Sequence, residues 1–123
     1  MSGTMTDEDV ARDRVKAKIS DEIVRLLAVH TGHGATRAWT TLDDDLIVCV
    51  LQDVLSKGEQ NLVRSGEREI VLRTRSAYQE MMRREAVDAV EQLSGRTVRA
   101  FTSANHLDAD LAVEIFVLEP LAS

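Results

Sequence analysis

Ala35-Thr36-Arg37-Ala38-Trp39-Thr40-Thr41-Leu42 runs into Asp43-Asp44-Asp45 and then into Leu46-Ile47-Val48-Cys49-Val50-Leu51. The first segment is rich in threonine and carries Trp39, and the second is apolar throughout, so both read as strands. The acidic triplet between them is polar and short enough to close a hairpin. A strand that is apolar at successive positions shows hydrophobic side chains to both faces of its sheet, and such strands are usually covered on both. A second pair of strands closes the chain, Thr97–Ser103 and Leu111–Leu118, joined by the polar stretch Ala104–Asp110 and stopped by Pro120.

Helical patterns flank these hairpins. Thr6-Asp7-Glu8-Asp9 reads as a helix start, with a capping threonine and three acids against the positive end of the helix dipole. Val15, Ile19, Ile23, Leu26, Leu27 and His30 then recur every three or four residues, and Gly32 is placed to end the helix in a left-handed conformation. The spacing predicts a helix from about Asp7 to Thr31, preceded by a flexible tail over residues 1–6. Ser56-Lys57-Gly58-Glu59 has the form of a capping box and opens a short helix to about Ser65, which Gly66 breaks. A long helix follows from Glu67 to Ser94, with Gly95 as its terminator. The order α-β-β-α-α-β-β predicts an α+β domain over residues 7–123: a four-stranded, mostly antiparallel sheet with helices packed on one face.

Strand alternation suggests which face is which. Leu111, Val113, Ile115 and Val117 form an unbroken apolar row and are expected to face the helices. The opposite row, Ala112, Glu114, Phe116 and Leu118, is grouped with Arg37, Trp39, Arg99 and Phe101. Aromatic anchors mixed with arginines and a carboxylate are typical of an interface. Trp39, Arg99, Phe101, Glu114 and Phe116 are therefore the expected contact residues, for a second copy or for another protein. The alternative is that the long helix wraps round and covers this face, or that the patch is simply tolerated.

The composition narrows the function. The net charge of −6 argues against nucleic acid as a partner, because phosphate contacts need a concentrated basic surface. No apolar stretch approaches the roughly 20 residues needed to span a bilayer and no signal-peptide pattern opens the chain, so a soluble, cytoplasmic protein without membrane insertion is expected. Cys49 is the only cysteine and lies in an apolar run, which makes it a buried thiol rather than a nucleophile. His30, His33 and His106 lack the companions of a metal site, and the Asp43–Asp45 run and Asn105/Asp108/Asp110 lack the spacing of a calcium loop. Neither a metal nor a cofactor is expected, and no serine sits in a nucleophile elbow, so no catalytic residue is assigned and the chain is not expected to be an enzyme. A second reading remains open: Gly34, Thr36 and Arg37, in the turn Gly32–Arg37, could recognise a small anion or ion.

Gly32-His33-Gly34-Ala35-Thr36-Arg37-Ala38 resembles the G-x-G-P-T-[RK]-[AV] turn of a small bacterial family called MpsC-like. The resemblance continues through the apolar second strand, Leu51-Gln52-Asp53-Val54-Leu55-Ser56, Glu59, Arg68-Glu69, Leu93-Ser94-Gly95-Arg96-Thr97-Val98 and Val113-Glu114-Ile115-Phe116-Val117-Leu118. It covers nearly all of the chain after residue 7. Ala35 replaces the usual proline, and Asp53 and Ser56 stand where the family tends to have glycine and threonine, which counts against a shared ligand contact there. The resemblance implies association with a bacterial sodium-translocating, membrane-potential-generating system linked to cation and inorganic-carbon uptake. It implies an accessory or regulatory subunit with a membrane-transport protein as partner, and it carries over no catalytic residue.

Overall fold

Helix α1 spans Asp7–Thr31 in the computed structural model, which describes residues 4–121. Its start is a full capping box: the Asp9 backbone N–H donates to the Thr6 hydroxyl at 3.0 Å, and the Asp9 carboxylate accepts from the Thr6 N–H at 3.3 Å. Of the expected tail, residues 1–3 lie outside the described residues, whereas Thr6 is bound into the helix end. Thr6→Ala is expected to cost about 1 kcal/mol, the usual worth of an N-cap side chain, read as a lowered urea midpoint with an unchanged slope. Gly32 ends the helix at φ 77°, a left-handed conformation that glycine adopts without steric cost.

Strands β1 (Arg37–Asp43) and β2 (Leu46–Gln52) form the first hairpin. Helix α2 (Lys57–Arg64) opens on a second capping box, between Ser56 and Glu59, and buries none of its own residues. Helix α3 (Arg68–Ser94) ends at Gly95, again left-handed. Strands β3 (Val98–His106) and β4 (Leu111–Leu118) form the second hairpin. The element order is the expected one. The sheet runs β1-β2-β4-β3 with every pairing antiparallel, which places the two most apolar strands at its centre. β3 reaches three residues further than expected, so the closing loop contracts to 107–110. Asp110, at φ 53°, holds that loop to the end of β2: its carboxylate accepts from the Val54 and Leu55 N–H groups, both at 2.9 Å.

α1 and α3 pack against each other and against the sheet, all on one face. At 1.5 Å per residue they are about 37 and 40 Å long, against strands of roughly 23–30 Å, so they cross the whole sheet. Ile19, Ile23, Leu26 and Leu27 of α1 and Met82, Ala86 and Val90 of α3 meet Ile47, Cys49, Leu51, Phe101, Ala112, Phe116 and Leu118 in one core. A satellite cluster of Leu55, Val71 and Leu107 lies near α2.

The expected assignment of faces is reversed. Leu118, Phe116, Glu114 and Ala112 are the buried members of β4, at 1 %, 0 %, 5 % and 1 % exposure, while Leu111, Val113, Ile115 and Val117 point away from the helices. The unbroken apolar row belongs to the open face. A single carboxylate did not keep the other row out of the core.

Candidate interaction surface

The two-residue turn at Asp44–Asp45 sets the register, pairing Asp43 with Leu46 and hence Trp39 with Val50. Because directly opposed residues share a face, the pairings give the composition of the open side. Its four cross-strand rows are Arg37–Gln52–Leu111–His106, Trp39–Val50–Val113–Ala104, Thr41–Val48–Ile115–Thr102 and Asp43–Leu46–Val117–Ala100. The two middle rows hold no charge, and in the centre of the lattice Val48, Val50, Val113 and Ile115 stand side by side. All four are only partly exposed, shielded by one another, while Leu46 and Val117 at one end are 39 % and 37 % exposed. Among the described residues no helix packs on this side. Strands β2 and β4 thus have the composition of strands covered on both faces but are covered on one.

The expected contact residues separate. Trp39 is on the open face, half-buried, with the Arg37 guanidinium 4.5 Å from the centroid of its ring. Phe101 and Phe116 lie under the helices with ring centroids 4.8 Å apart, and Glu114 lies beside them. These three are core residues and are not available to a partner. Arg99 is exposed at a β-bulge between Val98 and Ala100, so it falls outside the alternation that grouped it with Phe101.

What the sequence reading missed is a polar row beneath the helices. Thr40, Cys49, Glu114 and Ser103 lie side by side across all four strands. Ser20 of α1 closes one end through a 2.7 Å bond to the Thr40 hydroxyl. At the other end Ser103 hydrogen-bonds Glu114, and Gln79 of α3 exchanges two bonds with Asn105, at 2.9 and 3.0 Å. Burial pushes the Glu114 carboxyl up to about 7, against the smaller opposing pull of Ser103, Gln79 and Arg75. Burial also pushes the Cys49 thiol up to about 11, which leaves it protonated and unreactive at neutral pH. A polar cleft of about 170 Å³ between α3 and β3 is lined by Gln79, Arg83, Phe101 and Ser103 among others, and so reaches Ser103, the hydrogen-bond partner of Glu114. Arg75, 1 % exposed, lies 3.5 Å from the Glu59 carboxylate and 3.5 Å from the Val54 carbonyl, with its Nε unpaired. This pair ties α2 to α3 in a setting where removing one partner strands the other.

The Gly32–Arg37 turn is built as a joint. The Thr36 hydroxyl donates to the Asp53 carboxylate, and the His33 ring contacts the Asp53 carbonyl at 3.1 Å. A Cβ at Gly34 would lie 3.4 Å from Val24, so Gly34 allows the turn to approach α1. Arg37 belongs to the open face. Asp53 itself sits at φ 59°, a left-handed conformation that aspartate tolerates better than most residues. The three candidate ligand residues therefore point to separate tasks, and the carboxylate beside Thr36 repels an anion.

No group of three or more metal-ligating side chains occurs among the described residues, and none of the described helices is long and apolar enough to cross a membrane. Compared with known families, residues 11–120 match the family described as Na+-translocating membrane potential-generating system (MpsC). No curated protein and no solved structure matches the chain.

Proposed function

The chain belongs to the MpsC family, and from that premise we propose that it is a cytoplasmic, non-catalytic accessory or regulatory subunit of a sodium-linked membrane system, docking through its open sheet face. The observation that supports this reading is the uncovered apolar lattice around Val48, Val50, Val113 and Ile115. A stable domain gains about 25 cal/mol for each Å² of apolar surface it removes from water, so a face of this composition is suited to being covered. Charge-free centres with an aromatic at the margin are what protein interfaces present. The two groups that could support chemistry are neighbours but are shut away from solvent: the thiol is buried and protonated, and Glu114 is enclosed beneath the helices. The anion-sensing alternative has less support, since the hydroxyl it needs at Thr36 already donates to Asp53.

Photo-crosslinking in cells tests the reading. A crosslinker at Val113, on the open face, is expected to give discrete adducts with a component of the membrane system or with a second copy. The same group at Arg84, on the exposed side of α3, is expected to give none. Adducts at Arg84 alone, or at neither site, would count against the open face as the docking surface.

A further inference from the structure

We propose that the open face is covered by a second copy of this chain, packed sheet to sheet about a two-fold axis that runs across the strands. The inference rests on the reading of that face as a docking surface and adds its occupant.

The argument comes from where the charges lie. Of the sixteen lattice positions, only two are held by arginine, lysine, aspartate or glutamate: Arg37 and Asp43. They have opposite signs and stand at opposite ends of one edge strand. With their strands kept aligned, two identical sheets can stack face to face about either of two in-plane axes. An axis along the strands lays β1 over β3 of the partner, bringing Arg37 onto a histidine and Asp43 onto alanine. An axis across the strands lays β1 over β1 with its ends exchanged, so that each Arg37 meets the partner's Asp43 and each Asp43 meets the partner's Arg37. The same operation places Val48 over Val50 and Val113 over Ile115, apolar on apolar throughout the centre. A face that is neutral in total and complementary to itself fits its own copy without needing an oppositely charged partner.

The Arg37 guanidinium already sits over the Trp39 ring, 4.5 Å from its centroid, a contact that does not use up its N–H groups, which can still fork onto a carboxylate. Sheets packed this way keep their strands within about 30° of each other, the usual geometry of a sandwich. Four strands at about 4.8 Å and seven residues at about 3.3 Å give a footprint of roughly 440 Å² per copy. That is smaller than the roughly 800 Å² per partner of a standard stable interface, so the dimer is a reversible one.

Light scattering across a concentration series tests the proposal, with circular dichroism confirming that each variant is folded. The wild type is expected to pass from monomer to dimer as concentration rises. Arg37→Asp and Asp43→Arg, each placing like charges at both contacts, are each expected to weaken association at least tenfold. Mixing the two variants in equal amounts restores both pairs, Asp with Asp's opposite at each end, and is expected to return the dimer as a heterodimer. The double variant R37D/D43R is expected to dimerise like the wild type. A wild type that stays monomeric, or a dimer indifferent to both single swaps, overturns the proposal. A monomeric chain whose Val113 crosslinks in cells only to a different protein rejects the second copy and leaves the docking surface standing. Loss of crosslinking together with a monomeric chain rejects both.

Discussion

Phe116→Ala is expected to destabilise the protein by about 3–5 kcal/mol, the cost of emptying a fully buried aromatic site. Phe116 has no exposed surface, packs 4.8 Å from the Phe101 ring and sits where both long helices cross the sheet. Deleting it removes contacts to β2, β3 and the helices together, and close-packed neighbours collapse only partly into the space. A urea titration should show the midpoint falling by a large fraction of its wild-type value. Were Phe116 on a contact face, the same change would leave the monomer's stability within about 1 kcal/mol and alter only association. The experiment therefore separates the two assignments of the sheet's faces by magnitude alone.

Glu114→Gln is expected to stabilise the protein above neutral pH and to flatten its dependence on pH. The folded carboxyl titrates at about 7 and its ordinary value is 4.5. Between those values the folded state holds a proton that the unfolded chain has released, so stability declines as pH rises from about 4.5 to about 7 and levels off above. The full penalty on the alkaline side is about 3 kcal/mol, on the scale of 1.36 kcal/mol per unit. Facing the carboxyl are Ser103 of β3, Gln79 and Arg75 of α3 and the Cys49 thiol of β2; Arg75 opposes the shift but does not cancel it. Glutamine keeps the shape and can still bond Ser103. Urea midpoints at pH 5 and pH 8 should differ for the wild type and much less for the variant. Equal differences in both proteins would show that Glu114 is already ionised in the fold.

The fold was legible because its signals are local. Thr6-x-x-Asp9 and Ser56-x-x-Glu59 close capping boxes, Gly32 and Gly95 end helices at left-handed φ, and the two apolar hairpins could pair only by forming one sheet. Trp39 was parted from the other expected contact residues through a single residue of register. Ending the first strand at Leu42 and starting the next at Leu46 leaves a three-residue turn, and in that register Trp39 lies across from Cys49. The observed strand includes Asp43, the turn has two residues, and Trp39 lies across from Val50 instead. A slip of one position moves every side chain of a strand to the other face. Arg99 was lost to the same kind of event, since a bulge interrupts the alternation in β3. Nor did composition rank the two rows of β4, because both are apolar enough to be buried. The carboxylate that seemed to exclude one of them is accommodated by the polar row, whose members come from four strands and two helices and share no spacing in the sequence.

Trp39 is the only tryptophan, so its fluorescence reports on the open face without interference. The most direct measurement is acrylamide quenching of that emission at rising protein concentration, in the wild type and in Val113→Lys. If the face is covered by association, quenching should fall as the wild type associates and stay constant in the variant, whose lysine lies in the middle of the apolar lattice. Quenching that is equally efficient in both proteins at every concentration, with no crosslinked partner at Val113 in cells, would contradict the assignment of this face as the surface through which the protein acts.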